Sequence, residues 1–285
     1  MPYTALDLIE LLALEPLELN IFRGSNRDIG TGRIFGGQVL AQALVAARRT
    51  VEDDRPAHSL HGYFMLAGDL SAPVVYFVDR IRDGKSFTTR TVRAIQHGKA
   101  IFAMTVSFQR PEEGPSHQQV MPDVTPPEQL PSELDLLRAH ADELNPELRR
   151  ILTQDRPLDF RPVDALAPGR EPRRCVWIRA VGEIGGDPLH HQAVLAYASD
   201  YGLLEAALRP HGLKFRDPDL MLASLDHAVW FHRPCRVDDW LLHVIESPTS
   251  ASARAFARGA FFTRDGTLVA STTQEGLLRV RRPPR

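Results

Sequence analysis

The sequence predicts an α+β fold in two similar halves, each an antiparallel sheet wrapped round one central helix. Three observations carry that expectation. The same order of elements, one helix followed by strand-like runs, occurs twice in 285 residues. Short segments of the two halves echo each other, "SLHGYF" against "SLDHAVWF" and "HGKAIFAMTVSF" against "DGTLVASTTQEG". Between the halves, residues 111–172 hold 11 of the 22 prolines, a density that continuous helix or sheet does not tolerate.

Taken in order, "MPYTALDLIELLALEPLELN" carries leucines at helical spacing among acidic residues. It reads as a short amphipathic docking helix, and it lacks the basic start and apolar core of a signal peptide. In "FGGQVLAQALVAARRT", Val39, Leu40, Ala43, Leu44 and Ala47 form one helical face behind a Gly-Gly turn. Strand-like runs follow: "HSLHGYFML", "VVYFVDRIR", "SFTTRTVRAI" and "AIFAMTVSFQ". These complete an N-terminal unit, 1–110. Residues 111–172 read as a linker with a short helix near 132–154. The C-terminal unit, 173–285, repeats the pattern with "HHQAVLAYASDYGLLEAAL" as helix, then "SLDHAVWFH", "WLLHVIES", "ASARAFARGAFFT" and "LVASTTQEGLLRV" as strands. Local hairpins make the sheet antiparallel, with the helix on one face. That is the hotdog arrangement, here in tandem.

Composition narrows the class. Hydrophobic residues at 43% and charged residues at 25% suit a soluble globular protein. A formal net charge of −2 gives no electrostatic case for nucleic acid or an anionic membrane as main partner. No apolar run approaches the roughly 18 residues that span a bilayer. Two cysteines, Cys175 and Cys235, argue against a disulfide scaffold and fit a reducing cytoplasm. The closing "RRPPR" is a solvated tail and not a peroxisomal address. Strand edges in such units invite pairing, so a homo-oligomer is expected.

The stretch "ASLDHAVWFHRP" gathers a serine, an aspartate and two histidines. Read as one strand, it puts Ser224, Asp226, Ala228, Trp230 and His232 on one face and His227 on the other. On that reading His227 cannot reach Ser224, and no G-x-S-x-G elbow surrounds the serine. Three polar residues sit in apolar surroundings: Asp200 in "VLAYASDYGLL", Ser224 after "LMLA", and Gln274 in the alternating row Leu268, Ala270, Thr272, Gln274, Gly276, Leu278. Buried polar groups need partners, so these three either find one another or are separately satisfied structural groups. His58 and His61 in "HSLHGYF" fall on opposite strand faces and do not act as a pair. His58 is a structural or substrate-contacting histidine, or a base in a rival mechanism. His190 and His191 lack the nearby ligands that a metal site needs. Arg254 and Arg258, flanking Phe256, suit either phosphate groups of a ligand or ordinary ion pairs.

The motifs "IFRGSNRDIGTGRIFGGQVLAQAL", "HSLHGYF", "RDGKSFTTRTV", "VWIRA", "YASDYGLL", "ASLDHAVWFHRP" and "VASTTQEGLLR" occur in that order. Together they make the chain resemble the acyl-CoA thioesterase II (TesB-like) double-hotdog family over nearly its whole length. The resemblance implies hydrolysis of an acyl-CoA thioester to free fatty acid and CoA, with no metal and no cofactor. It implies a triad at Asp200, Ser224 and Gln274, with serine where bacterial relatives often carry threonine. Ser224 lacks a base to deprotonate it, so it is expected to position a water, with Asp200 as general base. Backbone amides at the Gly36-Gly37-Gln38 helix start are the candidate oxyanion donors, against a plain tight turn. The alternatives are a non-catalytic acyl-CoA-binding module and an enoyl-CoA hydratase of the same fold.

Overall fold

Two helices covered on every side lie within one continuous sheet, and that arrangement follows from their composition. The helix α2 (Gly36–Arg48) buries every residue from Gly37 to Ala47, and α5 (Pro188–Ser199) buries nearly all of its last two turns. A helix apolar or small all round belongs inside a domain. The computed structural model describes residues 3–143, 146–163, 170–215 and 217–281.

The first half begins with α1 (Ala5–Leu12), β1 (Glu15–Glu18) and β2 (Ile21–Gly24). After α2 come β3 (Ala57–Phe64), β4 (Val74–Asp83), β5 (Phe87–Gln96) and β6 (Lys99–Gln109). Two short helices, α3 (Glu133–Ala139) and α4 (Pro146–Leu152), precede β7 (Leu158–Pro162) and β8 (Arg173–Ala180). Beyond α5 lie α6 (Glu205–Leu208), β9 (Leu220–Ser224), β10 (Asp226–Phe231), β11 (Leu241–Ala251), β12 (Arg254–Thr263) and β13 (Leu268–Val280).

The sheet runs β1-β2-β4-β5-β6-β3-β10-β13-β12-β11-β8-β7, all antiparallel, with β9 added beside β13. Read outward from the β3–β10 seam, both halves show the same order. β3, β6, β5, β4, β2 and β1 answer to β10, β13, β12, β11, β8 and β7. The internal repeat is therefore structural as well as sequential. At the seam Ala228 stands opposite His61 and Trp230 opposite Ser59, so neither half has a free inner edge. The fold class is the predicted one, α+β with a helix sheathed in each half.

Three elements differ from the sequence reading. The docking helix expected over the first twenty residues ends at Leu12, because Pro16 opens the way to a strand and cannot continue a helix. Ala5, Leu8 and Leu12 still face the core. The single helix near 132–154 is two helices, with Pro146 opening the second; residues 144–145 lie outside the described residues. The proline-rich stretch is strapped down. Trp177 Nε1 donates to Thr125 C=O at 2.9 Å, and Met121, Val124 and Leu130 pack on the cluster of Trp177, Trp240, Leu242 and Phe262. β7, inside the predicted linker, pairs with β8 and extends the outer edge of the second half of the sheet; residues 164–169 and 282–285 lie outside the described residues.

Candidate active site

The site forms where the end of α5 meets the start of α2, at the junction of the halves. Phe35, the residue before α2, has no side chain able to cap the helix. Its ring packs edge-on against Tyr197 of α5, with centroids 5.0 Å apart. A Cβ on Gly37 would lie 2.5 Å from the Tyr197 carbonyl, so only glycine lets the two backbones approach this closely. Asp200, the residue ending α5, thereby delivers its carboxylate to the first turn of α2. The Gly37 N–H hydrogen-bonds to it, an anionic cap supplied by the other half of the chain.

Gln274 completes the arrangement. It is 1% exposed on β13, and its Nε2 donates to Asp200 Oδ1 at 2.6 Å and to Ser224 Oγ at 2.8 Å. Both amide protons are thus engaged, and the serine hydroxyl proton stays available for another acceptor. The Asp200 side chain is 5% exposed. Burial pushes its carboxyl up to about 7, against the hydrogen bonds from Gln274 and Gly37, which pull it down. Desolvation outweighs the two donors, leaving a carboxylate poised to exchange a proton near neutrality.

The structure brings Asp200, Ser224 and Gln274 together, and it corrects how Ser224 gets there. Ser224 on β9 stands opposite Gly276, whereas Ala228 on β10 stands opposite Thr273. The chain spends four steps where β13 spends three, a one-residue bulge around Leu225. Such a bulge reverses the alternation of side chains. Ser224 and His227 therefore both face inward, contrary to the strict alternation expected from the sequence. His227 is fully buried, with Nδ1 3.9 Å from Asp200 Oδ1.

Other sequence candidates lie elsewhere. His58 sits at the start of β3, bonded to Ser107 Oγ at 2.8 Å and packed on Phe87. Phe64, beside Gly36, is six residues further along β3, which places His58 about 20 Å away along the strand and outside the cluster. The side chain of Gln38 is buried and pins the preceding loop: Nε2 donates to Ser25 C=O at 3.1 Å, and Oε1 accepts from Arg27 N–H at 3.3 Å. The Gln38 N–H donates to Phe35 C=O, and the Gly37 N–H goes to Asp200. Of the amides offered to an oxyanion, those of Gly37 and Gln38 thus already have partners, the first in the other half and the second in the same turn. His191 holds a loop through Gly185 C=O and Val237 N–H. Arg254 pairs with Glu275 and Arg258 with Glu246 at the surface. His61 and Asp226, which the spacing along the chain does not pair, meet at 2.9 Å across the seam, on the outer face away from Asp200.

Two cavities, of about 540 and 740 Å³, lie toward the other end of α5, where Pro188 and His191 line the larger one; neither includes a residue of the cluster. No described helix is long and apolar enough to cross a membrane.

Comparison with known proteins gives the arrangement its family. Residues 149–277 match the family model described as acyl-CoA thioesterase, and residues 25–109 match that of the acyl-CoA thioesterase N-terminal domain. Acyl-coenzyme A thioesterase 8 of Homo sapiens is 41% identical over 283 residues, 95% of this chain and 88% of that protein. Acyl-CoA thioesterase 2 of Haemophilus influenzae is 40% identical over 96% of this chain and 97% of its own. The crystal structure of acyl-CoA thioesterase II TesB2 from Mycobacterium marinum superposes with a TM-score of 0.80 at 42% identity, covering 96% of this chain and 98% of that one. With both halves matched and relatives of this identity aligned almost end to end, the chain belongs to the acyl-CoA thioesterase family and is a thioester hydrolase.

Proposed function

We propose that Asp200 is the general base of acyl-CoA hydrolysis and that Ser224 and Gln274 position the attacking water. The observation that carries this reading is the single amide of Gln274 holding both the carboxylate and the hydroxyl. A water beside Asp200 gives one proton to the carboxylate as its oxygen bonds to the thioester carbonyl carbon. The tetrahedral intermediate then collapses, the C–S bond breaks, and the CoA thiolate leaves with the proton that Asp200 returns. The products are a free carboxylic acid and CoA thiol. A carboxyl held near 7 suits this task, since a base matched to the working pH combines the right ionisation with adequate driving force. Ser224 has no base of its own to make it a nucleophile: the adjacent Gln274 nitrogen donates to it.

The test is thiol release from short- to long-chain acyl-CoAs without added metal. Gln274→Glu, which keeps the shape but loses the bridging donor, is expected to lower kcat about 10²-fold with KM changed only a few-fold, because positioning is lost and ground-state binding is kept. The wild-type kcat profile should fall on the acid side with a midpoint near 7, as the base becomes protonated. Gln274→Glu at wild-type rate would overturn the assignment. The reading also includes a cytoplasmic protein, supported by two cysteines, Cys175 and Cys235, that form no disulfide, and self-association, which sedimentation measures.

A further inference from the structure

Directly behind Asp200 lie two residues that the proposed reaction does not use. Ser199 is fully buried, and its hydroxyl oxygen is 2.8 Å from the Ala196 carbonyl and 2.8 Å from His227 Nε2. A carbonyl can only accept, so the one hydroxyl proton goes to Ala196, and Nε2 must supply the proton of the second bond. Nδ1 is then a bare lone pair. It is buried, has no hydrogen-bond partner among the described residues, and lies 3.9 Å from Asp200 Oδ1. That gap exceeds a direct hydrogen bond, but a small turn of the carboxyl group or one bridging water closes it.

We propose that His227, locked as the Nε2–H tautomer by Ser199, is a positioning residue that sets the proton affinity of Asp200 and accepts the O–H of its protonated form. The physical logic is one-sided. A lone pair aimed at a carboxylate disfavours the anion, and the same lone pair welcomes the carboxylic acid. The ring nitrogen thus steadies the proton between its arrival from water and its return to the leaving thiolate. This deepens the reading of Asp200 as base and rests on it for the catalytic consequence, while the tautomer and the carboxyl pKa stand independently of turnover.

The groups around the pair come from seven elements. Gln274 on β13, Ser224 on β9 and the Gly37 amide on α2 surround the carboxylate. Tyr197 on α5 and His243 on β11 are kept neutral by burial. Asp226 on β10 pairs with His61 on the outer face, and its pull on His227 is weaker than the effect of burial. Burial pushes His227 down to about 3, so its ring is neutral wherever the enzyme would work.

Two measurements on the intact protein decide the matter. In histidine-¹⁵N-labelled wild type, the His227 ring should show a protonated Nε2 and a bare Nδ1 at pH 7. The Asp200 carboxyl, identified by the signal missing from Asp200→Asn, is titrated by ¹³C in wild type, Ser199→Ala and Ser199→Thr. Ser199→Ala frees the ring to turn an N–H toward the carboxylate, so the Asp200 pKa should fall by about one pH unit or more, about a tenfold change in proton affinity. The acid limb of kcat should move with it, and Ser199→Thr should restore both. A purely structural role would lower rate or stability and leave these midpoints in place. A protonated Nδ1 in wild type, or an unchanged Asp200 pKa in Ser199→Ala, overturns the proposal. Full turnover by Asp200→Asn alongside the expected carboxyl shift would remove the base reading and leave the tautomer control standing.

Discussion

Asp200→Asn is expected to lose at least 10²-fold in kcat and to melt at a higher temperature than wild type above neutral pH. The rate loss follows from removing the base. The stability gain follows from linkage. The folded state holds the Asp200 proton more tightly than the unfolded chain does, with the carboxyl raised from 3.8 to about 7. Folded protein therefore binds more protons across that window, so its stability falls as pH rises from about 4 to about 7 and stays reduced above it. The distance between those values corresponds to about 4 kcal/mol, an upper bound that Asn recovers only in part, since the Gly37 N–H loses an anionic acceptor. A rise in Tm of roughly 3–6 °C at pH 8 is expected for a chain of this size, shrinking toward zero near pH 4. Melting curves at pH 4.5 and 8 check it. A difference in Tm that does not widen with pH would mean that the carboxylate is not strained by its burial.

Gly37→Ala is the second large effect, and it acts through packing. Alanine is the better helix former by roughly 1 kcal/mol, so on propensity alone the change would stabilise α2. The new Cβ, however, would lie 2.5 Å from the Tyr197 carbonyl oxygen and 2.5 Å from Phe35 Cε1. Backbone blocks one side and an aromatic ring edge-packed on Tyr197 blocks the other, so α2 and α5 must separate. Overpacking of this kind costs about 1–3 kcal/mol. The rate should suffer more than the stability, because Asp200 terminates α5 and moves with it, and a displacement of about 1 Å costs on the order of 10²-fold. Gly114→Ala, with open space around its Cβ, serves as the neutral control. Assay and denaturant melts of the two variants give the comparison. Wild-type kcat in Gly37→Ala would show that the junction of the halves tolerates expansion.

Both variants probe one feature, the reliance of the site on two helices from different halves. Neither half holds it alone. Asp200, Ser224 and Gln274 belong to the second half, while the amide that caps Asp200 and the Phe64 ring beside Gly36 belong to the first. The continuous seam of β3 and β10 fixes the two halves to each other, and Phe64 N–H donates to Leu225 C=O right at the bulge. This gives a physical reason for a tandem chain to carry the site at its centre.

Much of this was legible in the residues. Period-two alternation marked Gln274 as an inward polar residue on β13, and the structure buries Ala270, Thr272, Gln274 and Gly276 in that row. One apolar face of α2, formed by Val39, Leu40, Ala43, Leu44 and Ala47, was readable from helical spacing, whereas burial of its other faces, Gln38 and Gln42 included, was not. Proline density hid β7, whose five residues end at Pro162 on an outer strand, where a missing N–H is tolerated.

The sequence by itself determined the repeated helix-and-meander units and that Asp200, Ser224 and Gln274 needed partners, because both follow from local spacing and from the cost of leaving a polar group unpaired. Only the tertiary structure decided the rest. The bulge at Leu225 turned Ser224 and His227 to the same side, and an extra residue in one strand has no local sequence signature. The approach of α5 to α2 gave the Gly37 amide to Asp200, and the length of β3 carried His58 away from the cluster. These outcomes depend on register and on contacts between residues more than a hundred positions apart, which no spacing rule along the chain encodes.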